Sequence, residues 1–327
     1  MEIHFFERHP TEGQISIEKL FSVLYRQLED QNIKFKVIKN PFPLKQLGKA
    51  MWFFKRNQGD VNHITGDIHW ACLLLDRHKT ILSIHDLVGL HQYTGLKRYL
   101  YYLLWVYLPV KKLKYITVIS DKTKNEILKY IPSAENKIHV ISNCVTVPIL
   151  EHNDISLQRK LKLLVVGTRT NKNVERILEA LTGIEAEILI IGKLEVSHNI
   201  FIEQNNLHVS NFNNISDEDL AEKYHQSDIL LFPSLYEGFG LPILEAQAQN
   251  CCVITSGISP MKEIAGNGAL LVDPFSVKEI RDAVLKLIHS EEKRKELIKN
   301  GKENIRKYSP EKISQQYINL YHQIIKK

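Results

Sequence analysis

The 327-residue sequence predicts an α/β protein of two halves, each a doubly wound parallel sheet. Short apolar runs alternate with segments of helical periodicity from end to end, the signature of parallel βαβ units. The alternation breaks at residues 142–158, a polar stretch with Asn143, Pro148, Asn153 and Asp154, and then restarts. At ~100–200 residues per domain the length suits two domains, each large enough to bury its own core.

Taken in order, the first half is expected to form strands at 2–6, 35–38, 61–64, 79–84, 116–119 and 137–140. Helical spacing covers 17–31, 95–107 and 122–130. The second half is expected to form strands at 162–166, 187–191, 207–209, 229–232, 252–255 and 269–272. Its helices fall at 174–181, 217–226 and 242–249, and everything beyond residue 277 reads as helix. Domains are therefore expected at 1–150 and 151–308, followed by a closing helix within 309–327. In that helix Ile313, Tyr317, Leu320, Tyr321 and Ile324 recur on one face.

Composition excludes little. Hydrophobic residues make up 44% and charged residues 24%, as in ordinary globular proteins. No apolar run reaches the ~20 residues of a membrane span. The first residues lack the layout of a signal peptide. Cys72, Cys144, Cys251 and Cys252 have no CxxC spacing, so neither a metal site nor a disulfide framework is expected. These features suit a cytoplasmic protein. The net charge of +6 suits anionic partners without choosing among them.

Ligands of open parallel sheets bind beyond the carboxyl ends of the strands. One such segment stands out: a buried strand ending at Phe232, a loop, and then Glu237-Gly-Phe-Gly-Leu-Pro-Ile-Leu-Glu245. Pro242 suits the first turn of a helix. The amides of Phe239, Gly240 and Leu241 would then point outward as an anion site, with glycine allowing close approach of a phosphate. A carboxylate beside an anion site makes sense if it accepts hydrogen bonds from the hydroxyls of a sugar attached to that phosphate. Glu245, one turn in, suits a second polyol such as a ribose. The alternative for the pair is a loop charge and a solvated helix position.

At these residues the chain resembles the retaining glycosyltransferases of family 4 (group 1), which have the GT-B fold. Two glutamates eight positions apart around Gly-Phe-Gly carry the likeness. It continues through Ile254-Thr-Ser, the run from Met261 to Gly266, and the run from Ala269 to Pro274. The resemblance implies two Rossmann-like domains facing each other across a cleft, with the closing helix crossing back onto the first. It implies a nucleoside diphosphate sugar as co-substrate, no cofactor and no metal. Glu237 would contact the donor sugar and Glu245 the ribose.

It also assigns the neighbouring residues. Gly167 makes the turn after a strand, and Arg169 and Lys172 on its loop would bind the diphosphate; the family's Arg directly after that glycine is Thr168 here. Ile215 or Phe212 would pack on the base, or serve the core. Gly13 would approach the diphosphate, although the family's double glycine is absent. His85 would hydrogen-bond the sugar or the leaving phosphate, and Asp86 would orient its loop. Gly66, Asp67 and Asp86 fall on the acceptor side. Asp217-Glu-Asp219 formally matches a metal signal but sits in a first helical turn, where acids stabilise the helix dipole.

Two segments of the first half combine cations with aromatics: residues 45–56, and residues 96–114 with Lys97, Arg98, Tyr99, Tyr101, Tyr102, Trp105 and Tyr107. They fit a helix lying on an anionic membrane, or equally a core helix with charged ends. The reading that follows is transfer of a hexose to a glycan or lipid-linked glycan, as in cell-surface polysaccharide synthesis. The competing reading is a non-catalytic sensor of nucleotide sugars, which would not need Glu237 and His85. No nucleic-acid recognition motif is present. No Gly-x-Gly-x-x-Gly follows the first strand, as a dinucleotide oxidoreductase would require.

Overall fold

A computed structural model of the chain describes residues 1–9, 16–150 and 160–326. The chain forms two compact units, Met1–Cys144 with Pro310–Lys327, and Val145–Ser309. The division falls at 144/145 rather than at 150. The backbone N–H of Val145 donates to Tyr308 O, Thr146 and Leu150 donate to Glu245 and Gln249 of the second unit, and Pro148 O accepts from Gln249.

In the first unit the strands are β1 (Glu2–Glu7), β2 (Lys34–Lys39), β3 (Val61–Ile64), β4 (Thr80–Ile84), β5 (Tyr115–Val118) and β6 (Ile138–Val140). They make one parallel sheet in the order β2-β1-β3-β4-β5-β6. β3, β4 and β5 are buried along their whole length, as central strands of a parallel sheet covered on both faces should be, although Asn62, His63, Thr80, Ser83 and Thr117 interrupt their apolar runs. One face carries Phe6, Phe54, Ile64, Trp70, Leu82 and Ile116, among others. The other carries Ile3, Phe5, Phe21, Leu24 and Ile81, and here the closing helix Pro310–Ile325 packs with Ile313, Tyr317, Leu320, Tyr321 and Ile324.

The second unit holds β7 (Lys162–Val166), β8 (Glu187–Ile191), β9 (Val209–Phe212), β10 (Ile229–Phe232), β11 (Cys252–Ser256) and β12 (Ala269–Val272). Its parallel order is β12-β11-β10-β7-β8-β9. The first strand of the unit thus lies between its second and its fourth. The chain winds outward through β8 and β9, then returns to start again at β10. The loops after β7 and β10 depart toward opposite faces and open a crevice at their carboxyl ends.

Three expectations need correction. The strand placed at 207–209 runs instead over Val209–Phe212. Its four residues are at most half-buried, so the apolar run that would have marked it is missing. The helix expected at 95–107 is α-helical only over Gly95–Tyr101 and continues as a π-helical segment over Tyr102–Tyr107 before Leu108–Lys112. Additional helices form at Leu47–Arg56 and Val196–Gln204. The 142–158 stretch is polar yet tied down through residue 150, while residues 151–159 fall outside those described.

Candidate active site

The crevice of the second unit collects most of the residues singled out above. After β7 the chain turns at Gly167, where φ is +90° and a Cβ would stand 3.0 Å from Lys172 Cε. Only glycine lets the lysine stem lie over this turn. Lys172 ends a 3-10 turn, and its Nζ sits 2.6 Å from Glu237 Oε1 and 4.5 Å from the Phe232 ring centroid. The loop after β10 is held from the β7 side. Asn171 Nδ2 donates to Tyr236 O at 2.9 Å and to Glu237 Oε1 at 3.3 Å, and Asn171 O accepts from Leu235 N. Asn173, in the left-handed region, donates to Pro233 O and Pro274 O. The sequence alone does not mark Asn171 or Asn173, because an amide gives no signal until its acceptors are in place.

Gly240 caps the helix Leu241–Ala248 with φ of +111°, and Pro242 lies in the first turn. A Cβ on Gly240 would come 3.2 Å from Ile243 Cδ1. Phe239 is buried with its ring edge-on to Tyr308, so its side chain is an anchor and its backbone is what reaches the crevice. The amides of Phe239 and Gly240 meet no acceptor among the described residues, which fits a helix start with donors to spare. Glu245 is not a solvated helix position: it is 6% exposed. Tyr224 Oη donates to its Oε2 at 2.9 Å and Thr146 Oγ1 to its Oε1 at 3.2 Å.

Other residues stand apart. Arg169 is exposed and makes no ion pair among the described residues. Thr168 Oγ1 donates to Lys193 O, joining the loop after β7 to that after β8. Ile215 is half-buried on the turn after β9, and the nearby Phe212 ring lies 4.4 Å from Lys223 Nζ. Asp219 is engaged in a reciprocal capping box with Ser216. No group of three or more metal-ligating side chains occurs among the described residues.

The carboxyl edge of the first unit's sheet gathers His85, Asp86, Gly66 and Asp67, at the ends of β4 and β3. His85 Nε2 lies 2.9 Å from Thr65 O. A carbonyl only accepts, so Nε2 carries the proton, and burial holds the ring below the usual imidazole range. The imidazole is neutral, with Nδ1 as its lone-pair acceptor. Asp86 Oδ1 accepts from Val88 N and so fixes its own loop. Gly66 is buried against Arg8, and Arg8 forms a double hydrogen bond with Glu18. Asp67 reaches solvent, yet desolvation by the surrounding protein raises its carboxyl, with His69 opposing. Gly13 lies outside the described residues.

Comparison with known proteins identifies the family and the fold. The profile "Glycosyl transferases group 1" matches residues 150–304, and the profile "Glycosyltransferase Family 4" matches residues 25–147. An uncharacterized glycosyltransferase of Methanocaldococcus jannaschii is 31% identical over 61% of this chain and 58% of its own length. The O-antigen chain mannosyltransferase RfbU of Salmonella typhimurium is 26% identical over 64% of this chain and 60% of its own length. The matched part of the chain thus spans under two thirds of either relative. Among solved structures, Anabaena HepE in complex with UDP-glucose superposes with a TM-score of 0.77 at 15% identity, covering 99% of this chain and 100% of that one. The parallel sheets and their order are those of the GT-B fold. With the two profiles matching most of the sequence between residues 25 and 304, the chain belongs to the group 1, family 4 glycosyltransferases.

Proposed function

We propose that the chain is a retaining, metal-independent hexosyltransferase that moves a hexose from a nucleoside diphosphate sugar to a glycan or lipid-linked glycan. The observation that carries this reading is the Lys172–Glu237 pair, held at the crevice where β7 and β10 diverge. An acceptor hydroxyl attacks the anomeric carbon, the bond from that carbon to the diphosphate oxygen breaks, and the proton leaves with the diphosphate. Charge grows on the leaving oxygens. Lys172, Arg169 and the amides of Phe239, Gly240 and Leu241 supply the positive field that metal ions give other phosphate sites. Glu237 accepts from sugar hydroxyls, and Glu245 from the ribose. Neutral His85 offers Nδ1 to a sugar hydroxyl. Gly66, Asp67 and Asp86 belong to the acceptor side.

The mannosyltransferase relative and the UDP-glucose complex of the structural neighbour favour mannose and glucose as the first sugars to try. Nucleoside diphosphate mannose and glucose are offered with glycan acceptors, and the product linkage is read by NMR. An inverted anomeric configuration would sink retention. Turnover abolished by EDTA and restored by manganese would sink metal independence.

We further propose that the chain works at the inner face of a membrane. No helix among the described residues is long and apolar enough to cross one. The helix Gly95–Tyr101 buries none of its residues, and Leu96, Tyr99 and Leu100 form an exposed stripe beside Lys97 and Arg98. Apolar stripes flanked by cations suit an anionic lipid surface. Sedimentation with phosphatidylglycerol vesicles should capture the wild type and lose Leu96→Ser/Leu100→Ser. Equal capture of both would remove this helix from the contact.

A further inference from the structure

Glu245 sits in a structural setting that its proposed role alone does not explain. It lies on the helix Leu241–Ala248 with little exposure, and its two oxygens meet different kinds of hydroxyl. Oε2 accepts from Tyr224, which is fully buried on the helix Asp217–Gln226. Oε1 accepts from Thr146, which is half-buried on the segment that enters this unit from the linker. The bonds differ in quality: the tyrosine bond is 2.9 Å and part of the core, whereas the threonine bond is 3.2 Å.

A buried carboxylate can rotate about its terminal torsion unless something holds one oxygen. Tyr224 does this. Its ring has no freedom in the core, and burial raises its phenol well above the usual range, with Glu245 adding to the effect, so it stays a donor. With Oε2 committed to the interior, Oε1 faces a hydroxyl partner at the linker side. A polyol arriving at this carboxylate meets the same oxygen in the same role that Thr146 plays.

We propose that Tyr224 is a positioning residue for ribose recognition: it fixes Glu245 so that Oε1 serves a ribose hydroxyl of the donor, in exchange for the hydroxyl of Thr146. The proposal rests on the reading of Glu245 as the ribose acceptor. It makes ribose-against-deoxyribose preference a property of Tyr224, which touches no ligand, and of Thr146, which competes with one.

Calorimetric titration tests it with UDP, GDP and their 2′-deoxy and 3′-deoxy forms. The wild type should prefer a ribonucleotide about tenfold or more over at least one deoxy form, the step expected for a lost hydrogen bond to a charged group. Tyr224→Phe should lose most of that preference and raise the donor KM about tenfold with kcat within about twofold, whereas a merely packing role would leave the preference intact. Thr146→Val should move the other way and sharpen the preference severalfold. If the wild type shows no preference, Glu245 is not the ribose acceptor and the underlying reading fails. If the wild type prefers ribose and folded Tyr224→Phe prefers it equally, the positioning role is overturned while the reading of Glu245 stands. Should Tyr224→Phe fail to fold, Thr146→Val decides: an unchanged or weakened preference overturns the exchange at Oε1.

Discussion

At the scale of single residues, the crevice of the second unit holds two carboxylates in different settings. Glu237 is on a loop, paired with Lys172 and steadied by Asn171, while Glu245 is embedded in a helix and held by Tyr224. On its proposed role as an acceptor that strengthens as the sugar reacts, Glu237→Gln should lower kcat by roughly ten- to a hundredfold. On its proposed role in ribose binding, which is the same in ground and transition states, Glu245→Gln should raise the donor KM with little change in kcat. Steady-state kinetics on the two variants checks the split; wild-type turnover in a folded Glu237→Gln would remove it from the chemistry. Gly240 is a separate case. Alanine there meets both a positive φ and the Ile243 methyl, at a cost of about 1–3 kcal/mol. Gly240→Ala should lower the melting temperature and weaken nucleotide binding together, since the turn and the amides are one structure.

At the scale of elements, the closing helix Pro310–Ile325 is joined to β3, β4 and β5 by more than its apolar stripe. His63 on β3 is fully buried, with Nδ1 2.7 Å from Tyr321 Oη and Nε2 2.8 Å from Ser83 Oγ on β4. Ser83 Oγ in turn lies 2.6 Å from Thr117 Oγ1 on β5. Tyr321→Phe leaves a buried ring nitrogen without its partner and should destabilise the first unit by about 1–3 kcal/mol in thermal melts. Burial also drives the His63 imidazole down to about 3. The unfolded chain takes up this proton below about pH 6.5 while the folded chain refuses it. The stability this neutral histidine supports is complete above that pH and falls by about 1.4 kcal/mol per unit as the pH drops toward 3. Melting temperatures measured from pH 7 to pH 4 should show the fall, with a shallower slope in His63→Gln.

At the scale of the whole molecule, the first unit is discontinuous in sequence: its core is completed by residues that follow the entire second unit. Ending the chain after Ser309 uncovers Ile3, Phe5, Phe21 and Leu24, while the core around Leu163, Ile190, Leu231 and Ile254 is untouched. Such a truncation should lose the cooperative melting of the first unit and keep that of the second, followed by calorimetry. A truncated chain with an intact first transition would show the helix to be an accessory.

The sequence by itself determined the alternation of strands and helices, the polar break between halves, and the crevice segment from Glu237 to Glu245, because each is written in local chemistry. Apolar runs, helical spacing, positive-φ glycines and a proline in a first turn need no distant partner to be recognised. Only the tertiary structure decided which strand lies next to which, and hence that Lys172 and Glu237 meet across 65 positions of chain. It decided that Glu245 is buried and bonded to Tyr224, and that Asn171 and Asn173 hold the loop. β9 and the π-helical turn escaped the sequence for the same reason. A half-buried edge strand has no continuous apolar signal, and helical spacing over residues 95–107 does not tell an α turn from a π turn.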